Sequence, residues 1–505
     1  MGSTAVVRPE RAVIGGSLEI SRMINGLWQL AGGHDKHTDM AMAVNVMDNM
    51  QRGLDTFDMA DHYGDAELVV GKHKEAKPAS SKVTFTKWCP PENGIKTFEN
   101  AEAAVDLARR RMNQDKIDLL QYHAWDFSDN TYLHNLHHLS KLQKQGKIGL
   151  IGLTNTDAAH LKLLLDTGFS IATNQIPTNV IDRRLTRGSL NQLCLDRDVG
   201  VLAYGTLLGG FLSEKWLGQP EPGNINELNW SLRKYLRFIW AAGGWVPFQT
   251  VLEALNTIAQ RHGVSIAAVA TRYVLDIPSV KAVIVGSRLS YDSEEYIDKN
   301  LEAFQLQLTS DDLALIHKAQ EGLTDVPGDC GDEYRRPPFL TAAGDTSDHL
   351  AEIDKTKHVR EAIANGKRVE YSSLSPWEPI AGYCRAVRTG NVIRVSGTTT
   401  NKLIPSLPAI GGKSARSQTV HILDIIENAL KALDSSLSDV VRTRIMVRDE
   451  NVCEEVSRAH GWVFKAAGVH PSNTFVTAGL IGDEMLVEIE AEAEVGSAKA
   501  GVLRI

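Results

Sequence analysis

The sequence has little cysteine, no long hydrophobic run and no strong excess of charge. Its five cysteines stand far apart without a CxxC pair, which predicts reduced thiols in a cytoplasmic protein rather than a disulfide or zinc framework. No stretch of about 18 apolar residues occurs, so no membrane span is expected. The first residues lack an apolar leader, so no secretion signal is expected. The net charge of −8 is spread along the chain, which argues against a nucleic-acid partner, because phosphate binding needs clustered Lys and Arg.

Several cofactor and metal motifs are absent as well. No GxGxxG follows a predicted strand, so a dinucleotide site on an open sheet is unsupported. Residues 412–414 (Gly-Lys-Ser) imitate the end of a phosphate-binding loop, but Leu407 stands where that loop requires glycine. Three histidines within 134–138 lie on a predicted helix without a cluster of further ligands. They are typical of a helix surface, and no metal site is predicted.

The first three-fifths of the chain alternate between short apolar runs and amphipathic helical stretches. Eight such units follow one another between about residues 20 and 290, which is more than most open sheets use. Buried parallel strands are continuous apolar runs, as several of these are. The pattern predicts an α/β fold, a (β/α)8 TIM barrel with its active site at the carboxyl ends of the strands. The predicted strands are 23–28, 56–60, 83–88, 117–123, 148–154, 171–176, 200–204 and 280–286.

Other parts of the chain depart from this alternation. Residues 208–247 hold four tryptophans and predict a long loop that either covers the barrel mouth or packs on the barrel wall. Residues 326–370 are punctuated by Pro and Gly and predict a linker. From residue 371 the order β, α, β, α, β, β predicts a small α+β domain. The chain is therefore divided into a barrel over 1–325, a linker and a second domain over 371–505.

Four polar residues lie at or just beyond the ends of consecutive early strands. They are Asp58, Tyr63, Lys87 and His123, and a barrel would bring them to one mouth. A carbonyl carbon that accepts a hydride leaves an alkoxide, which needs a proton donor. A free tyrosine titrates near 10, too high for a good acid at neutral pH, and a lysine beside it would stabilise the phenolate. Asp58 would keep Lys87 charged and oriented, and His123 would donate a hydrogen bond to the carbonyl oxygen.

These residues lie within segments that resemble the aldo-keto reductases in order and spacing, over about residues 20–320. The resemblance implies an NADP(H)-dependent oxidoreductase acting on a small-molecule substrate, with Asp58, Tyr63, Lys87 and His123 as the family's catalytic tetrad. The segments are 26–29 (GLWQ), 63–67 (YGDAE), 85–88 (FTKW), 117–123 (IDLLQYH), 146–148 (GKI), 152–155 (GLTN) and 203–205 (AYG).

The same resemblance implies which residues bind the cofactor. Thr154, Asn155 and Gln175 match the group that binds the nicotinamide carboxamide, and Tyr204 matches the aromatic ring that stacks on the nicotinamide. An arginine in the last segment suits a phosphate, which favours NADP over NAD. Contacts to the pyrophosphate and to the adenosine 2′-phosphate are assigned to Gly205, Leu207, Gly286, Ser287, Arg288 and Asn300. The substrate pocket is assigned to Trp28, Trp88 and Trp125.

The C-terminal segment resembles the RidA family of small trimeric proteins over about residues 371–495, with matches such as 395–399 (VSGTT) and 470–474 (HPSNT). The resemblance implies a chorismate-mutase-like fold and a homotrimer. Deaminase members carry a substrate-binding arginine where Asn473 stands here, and an amide cannot supply a charged bidentate fork. Trimerisation is therefore the predicted main role of the domain. The cleft positions are Tyr383, Ser396, Asn473 and Glu488.

Three functions stay open from the sequence. The first is a reductase of an aldehyde, a ketone or an imine. The second is a regulatory protein that binds NADP(H) without catalysis, since a fold does not determine function. The third is a bifunctional reductase and imine-processing enzyme in the synthesis of nitrogen-containing metabolites.

Overall fold

The computed structural model describes residues 7–31, 39–49, 53–80, 82–90, 94, 96–287, 289, 293–335 and 354–505. Arg288, assigned above to the 2′-phosphate, lies outside the described residues. Within the described ranges, no helix combines the length and the apolar character that crossing a membrane requires.

A closed barrel of eight parallel strands forms the first domain, which confirms the predicted fold class. A hairpin of β1 and β2 precedes it and packs Ile14 and Ile20 against barrel residues such as Phe85. Side chains alternate along each strand, so Phe85 and Lys87 point into the barrel whereas Thr86 and Trp88 face the helices. The strands are β1 Arg11–Ile14, β2 Leu18–Ser21, β3 Met23–Gly26, β4 Thr56–Asp58, β5 Val83–Trp88, β6 Ile117–His123, β7 Ile148–Thr154, β8 Thr173–Pro177, β9 Gly200–Tyr204 and β10 Val280–Gly286.

Helices surround the barrel and bury the apolar outer faces of its strands. Their starts follow from local sequence: Thr97 and Asn100 form a capping box, and the Asp157 carboxylate accepts the His160 N–H. The helices are α1 Met40–Asn49, α2 Ala66–Ala76, α3 Phe98–Arg111, α4 Thr131–Lys144, α5 Ala158–Thr167, α6 Arg184–Arg187, α7 Leu190–Asp196, α8 Trp230–Ala241, α9 Trp245–His262, α10 Ile266–Leu275, α11 Ser293–Leu301 and α12 Ser310–Gln320.

The predicted loop 208–247 is more ordered than its composition suggested. It contains the helix α8 and the start of α9. Trp216 and Trp245 pack with Phe211 and Phe248 on the barrel wall, with ring centroids as close as 4.8 Å. Its contribution to the barrel mouth is instead a lysine, Lys234, whose side chain is buried.

Part of the predicted linker also packs on the barrel. Cys330, Asp332 and Glu333 are buried, and residues 332–334 form a turn of 3₁₀ helix. Glu333 pairs with Arg184 over 2.7 Å between Nη1 and Oε2, which anchors the segment 329–335 beside the mouth.

The second domain is a six-stranded sheet with two long helices on one face. The strand order is β11-β12-β13-β16-β14-β15, in which β14 and β15 run parallel and the other neighbours antiparallel. Buried and less buried residues alternate along β16, as its sequence predicted. The elements are α13 Lys357–Ala364, β11 Val369–Tyr371, α14 Trp377–Ala381, β12 Ala386–Thr389, β13 Val392–Thr399, α15 Ala415–Ala432, β14 Val440–Val447, α16 Cys453–Ala466, β15 Ser472–Thr477 and β16 Val487–Glu494.

The two domains touch through α5 of the barrel and α15 of the second domain. Ala159 and Val420 form a small apolar contact between these helices. Polar contacts flank it: the Ser417 hydroxyl donates to Asp166 over 2.7 Å, and the Gly411 N–H donates to the Thr167 hydroxyl over 2.9 Å. The second domain is therefore docked on the barrel wall through matched side chains.

Candidate active site

The barrel brings the four predicted catalytic residues to one end. Asp58 ends β4, Lys87 lies near the end of β5 and His123 ends β6, while Tyr63 follows in the loop after β4. Lys87 Nζ donates to Asp58 Oδ2 over 2.5 Å and to the Met59 carbonyl over 2.7 Å. It also lies 4.9 Å from the centroid of the Tyr63 ring. An ammonium group thus stands beside the phenol, where it stabilises negative charge on the phenol oxygen.

The Asp58 carboxylate is held by more than its lysine. Its Oδ1 accepts hydrogen bonds from Gln121 Nε2 over 2.8 Å and from Gln175 Nε2 over 2.9 Å. Asp58 and Lys87 are each only 3% exposed, so this pair is desolvated and needs every one of these partners. Gln175, predicted to contact the carboxamide, therefore also orients Asp58, the aspartate of the predicted tetrad. Gln121 was missed as a site residue, although it stands within the strand motif quoted above.

His123 is neutral in this environment. Burial holds its pKa well below the usual value, and the basic groups around it, Arg335 foremost, lower it further. The Asn155 amide nitrogen lies 3.4 Å from His123 Nε2, and the imidazole packs on Trp125 with 3.9 Å between ring centroids. A neutral imidazole held in this way can orient a carbonyl oxygen without carrying charge of its own.

The residues predicted to bind the nicotinamide offer a fitting set of polar groups. The Thr154 hydroxyl is buried and has no hydrogen-bond partner among the described residues, and the Thr206 hydroxyl is in the same condition. Asn155 has a left-handed backbone, with φ +54°, and its Oδ1 accepts from the Tyr204 hydroxyl over 2.8 Å. Hydroxyl and amide groups are what a carboxamide needs, because it both donates and accepts hydrogen bonds.

The remaining predicted cofactor residues follow the last strands. Gly205 has φ +68° just after β9, and Leu207 follows two residues later. Gly286 ends β10, and the buried Ser287 donates its N–H to the Gly26 carbonyl over 2.8 Å. Asn300 lies on α11, half-buried. All of these residues except Asn300 thus lie at or just beyond the carboxyl ends of the adjacent strands β9 and β10.

The three predicted pocket tryptophans do not share one environment. Trp125 contacts His123, and Trp28 lies 5.4 Å from Lys234 Nζ, so both flank the mouth. Trp88 packs against Tyr122, with 5.6 Å between ring centroids, in the core between strands and helices. Because Lys87 points inward, its neighbour Trp88 must point outward.

Two residues at the barrel mouth, Tyr334 and Lys234, were not predicted from the sequence. The Tyr334 ring lies 5.5 Å from His123 and 5.9 Å from Trp125. Its hydroxyl lies 3.1 Å from that of Tyr204 and accepts a hydrogen bond from Lys234 Nζ over 2.7 Å. Neither residue belongs to a strand-end motif, since Tyr334 was placed in the linker and Lys234 in the tryptophan-rich loop. The only available signal was the cluster of charged residues around Tyr334.

One group of potential metal ligands lies nearby. Within the described ranges, the ligand atoms of Asp61, His62 and Cys89 fall within 4.8 Å of one another. Asp61 already accepts the Cys89 N–H and contacts His62 Nδ1, so its carboxylate has protein partners.

The predicted cleft residues of the second domain are not all adjacent within one chain. The Ser396 hydroxyl donates to the Cys384 carbonyl over 2.9 Å, and the exposed Tyr383 directly precedes Cys384. Glu488 pairs with Thr399 across β13 and β16. Asn473 lies on β15, three strand spacings from β13 and therefore about 14 Å away.

A buried polar cluster lies behind Asn155, where the two domains meet. His160 Nδ1 lies 2.7 Å from Asp157 Oδ2, and His160 Nε2 lies 3.2 Å from Asp424 Oδ2 of the second domain. The imidazole stacks flat on Phe127, with 3.8 Å between centroids. The two carboxylates outweigh burial and raise the pKa of His160 to about 10. His160 is thus an imidazolium at neutral pH.

This shift makes stability depend on pH in the alkaline range. The pKa of His160 is higher in the folded state than in the unfolded chain, so its contribution is complete below about pH 6.5 and is lost as pH rises towards 10. We expect the free energy of unfolding of the wild type to fall across this window. The fall should be roughly 1–4 kcal/mol larger for the wild type than for His160→Gln. Urea unfolding at several pH values measures it. The control is His134→Gln, which should show the wild-type dependence on pH, because burial lowers the pKa of His134 rather than raising it. If the free energy of unfolding fell equally with pH in the wild type and in His160→Gln, the raised pKa of His160 would be contradicted.

Comparisons with known proteins agree with this architecture. The model of the Aldo/keto reductase family matches residues 22–321, and that of the family described as Endoribonuclease L-PSP matches residues 374–495. An L-glyceraldehyde 3-phosphate reductase of Escherichia coli O157:H7 is 23% identical over 324 residues, covering 59% of this chain and 88% of that protein. A RutC family protein of Pyrococcus horikoshii is 26% identical over 127 residues, covering 25% of this chain and 97% of that protein.

Two further similarities were found. The flagellar radial spoke protein 5 of Chlamydomonas reinhardtii is 33% identical over 127 residues, which are 25% of this chain and 24% of that protein, so the match spans about a quarter of the relative. The solved structure of a glycerol dehydrogenase of Gluconobacter oxydans superposes with a TM-score of 0.51 at 20% identity, covering 65% of this chain and 98% of that one. At this identity the likeness shows the fold.

Proposed function

The chain belongs to the aldo/keto reductase family through its barrel, with a RidA-like domain fused to it, and on this premise we propose that it is an NADPH-dependent reductase of a carbonyl compound. Family and fold support a carbonyl oxidoreductase. The observation that carries the finer proposal is the contact of Lys87 with both Asp58 and the Tyr63 ring.

The chain's own groups account for substrate orientation and for the proton. When bound, the nicotinamide supplies the hydride. Neutral His123 donates a hydrogen bond to the carbonyl oxygen, and Tyr63 delivers the proton that this oxygen needs once it carries negative charge. Lys87 stabilises the resulting phenolate, and Asp58 keeps the ammonium in place. Asp58, Lys87 and His123 are buried, which strengthens the electrostatic contacts among them.

The polar groups at the ends of β7 and β9 support the use of a nicotinamide cofactor. Thr154 and Asn155 would hold the carboxamide, with Tyr204 at the nicotinamide ring. The unpartnered Thr154 hydroxyl among the described residues supports this role, because a buried hydroxyl without a partner is costly. The preference for NADPH over NADH rests on Arg288, Ser287 and Asn300.

A panel of aldehydes, ketones and imines tests the proposal with the full chain. We expect oxidation of the reduced cofactor, measured as its loss of absorbance, only when a carbonyl substrate is present. The rate should be higher with NADPH than with NADH. NADPH binding without turnover of any compound would favour the regulatory alternative. Turnover confined to imines would favour the imine-processing alternative.

We also infer that the second domain assembles the chain into a homotrimer. The sheet face opposite α15 and α16 is charged and accessible: Arg442 pairs with Glu492 over 3.5 Å and Arg444 with Glu490 over 3.4 Å, all about half exposed. The resemblance to the RidA family implies that the clefts of such a trimer lie between subunits, which fits the separation of Asn473 and Ser396 within one chain. Analytical ultracentrifugation is expected to give three times the 55.4 kDa of one chain, and a monomer mass at micromolar concentration would contradict it.

A further inference from the structure

The buried cluster between the domains is continuous with the reductase site. His160 and Asp157 belong to the barrel, and Asp424 comes from α15 of the second domain. Asp157, His160 and Asp424 are 1%, 2% and 8% exposed, so water screens their charges little. Arg335 joins them, with its Nη2 3.5 Å from Asp157 Oδ2 and its guanidinium 4.4 Å from the centroid of the Phe127 ring.

Both domains contribute charges to this cluster. His160 and Arg335 are the cations, and Asp157 and Asp424 are the carboxylates that contact His160. Asp329 also faces Asp157, and burial raises the pKa of Asp329 to about 6. Removing the Asp424 carboxylate takes away one of the two carboxylates that contact the buried imidazolium, which is unfavourable. His160 would then tend to lose its proton, and the ion pair that fixes Asp157 would weaken.

Arg335 connects the cluster to Asn155, which is proposed to hold the nicotinamide carboxamide. Its Nη1 donates to the Asn155 carbonyl over 2.7 Å. Gly331 sits on the same carbonyl so closely that a Cβ there would lie 2.1 Å from the oxygen, and its φ of +90° also suits glycine. Asn155 in turn contacts Tyr204 and His123 through its side chain. The left-handed backbone of Asn155 is thus held from behind by a chain of contacts that ends at Asp424.

We propose that Asp424 is a positioning residue of the reductase site, which acts from the second domain through His160, Asp157 and Arg335 on Asn155. This inference rests on the proposed function, because the placement of Asn155 matters if a nicotinamide binds there. It gives the fused domain a role in the barrel's chemistry that is separate from oligomerisation: the reductase site is complete only when α15 is docked.

Asp424→Asn in the full-length protein tests the inference, because it removes the charge and keeps the side chain's size. We expect the KM for NADPH to rise about tenfold while kcat at saturating NADPH changes less than about threefold. His160→Gln is expected to raise the KM similarly. The KM of the double variant should be no higher than that of either single variant, because both substitutions break the same chain of contacts.

The control is Asp166→Asn, which removes a carboxylate from the same interface. Asp166 accepts from Ser417 of α15, and no contact to Asn155 is seen within the described ranges. We expect its KM for NADPH to stay within about twofold of wild type. Equal effects of Asp166→Asn and Asp424→Asn would overturn the proposal, since a loosened interface would then explain both.

The readouts separate this inference from the proposed function. NADPH affinity is also measured by quenching of tryptophan fluorescence, and folding is checked by circular dichroism. If the wild type neither binds nor oxidises NADPH, the proposed function fails. If the wild type is active and Asp424→Asn keeps the wild-type KM, the positioning role is overturned. If Asp424→Asn does not fold, His160→Gln decides the question from the barrel side.

Discussion

Tyr63→Phe is expected to lower kcat by about 10²- to 10⁴-fold and to leave the affinity for NADPH within about twofold of wild type. The change removes one oxygen atom, the one that would deliver the proton. The ring keeps its place above Lys87 Nζ, 4.9 Å from its centroid in the native protein. The loss should therefore appear in kcat rather than in cofactor binding. Steady-state NADPH oxidation gives kcat, and fluorescence titration gives the affinity.

The matched control is Tyr371→Phe in the second domain, where the hydroxyl accepts a hydrogen bond from Asn428 over 3.3 Å. It loses the same atom at a residue outside the proposed catalytic set, and its kcat should equal that of wild type. If Tyr63→Phe retained wild-type turnover of the same substrate, another group would have to be the acid.

Arg184→Met is expected to destabilise the barrel by about 3–5 kcal/mol. The Arg184 side chain is 4% exposed and lies between two carboxylates, with Nη2 2.7 Å from Asp182 Oδ2 and Nη1 2.7 Å from Glu333 Oε2. These carboxylates raise its pKa well above the usual value. Methionine fills similar volume but leaves both acids buried without their cation. Chemical denaturation followed by circular dichroism measures the change.

The control for this prediction is Arg187→Met on the same short helix. Arg187 pairs with Asp325, and its side chain is 47% exposed, so solvent screens the pair. Its loss should cost less than about 1 kcal/mol. Similar shifts for the two variants would mean that Arg184 contributes through packing alone. Since Glu333 precedes Tyr334, Arg184→Met should also displace the Tyr334 ring from His123 and Trp125 and lower kcat.

Residues at the ends of the strands were the most predictable part of the candidate site. Asp58, Lys87 and His123 could be assigned to one site from the sequence because each lies at the end of a strand, and parallel strands in a barrel end at one rim. Tyr63 follows within one loop of such an end. Trp88 shows where this reasoning stops, since a position near a strand end does not tell which side the residue faces unless a neighbour's direction is known.

The contacts of residues 208–247 and 329–335 could not be predicted from the sequence for a related reason. The Pro, Gly and Trp content of a segment predicts an irregular backbone. It does not predict whether the segment packs against residues that are distant in the chain. Glu333 is buried by Arg184, which is 149 positions earlier in the chain. Tyr334 reaches His123 through that anchor, so its place at the mouth depends on a tertiary contact.

Periodicity and neighbouring residues were enough to predict the alternation of strands and helices, the division into two domains and the four polar groups at one rim. The shared position of Tyr334 and Lys234 at the mouth, and that of Asp424 behind Asn155, could be seen in the folded protein alone. These placements come from the docking of segments far apart in the chain, whose buried charged groups pair with one another, and no local pattern encodes such pairing.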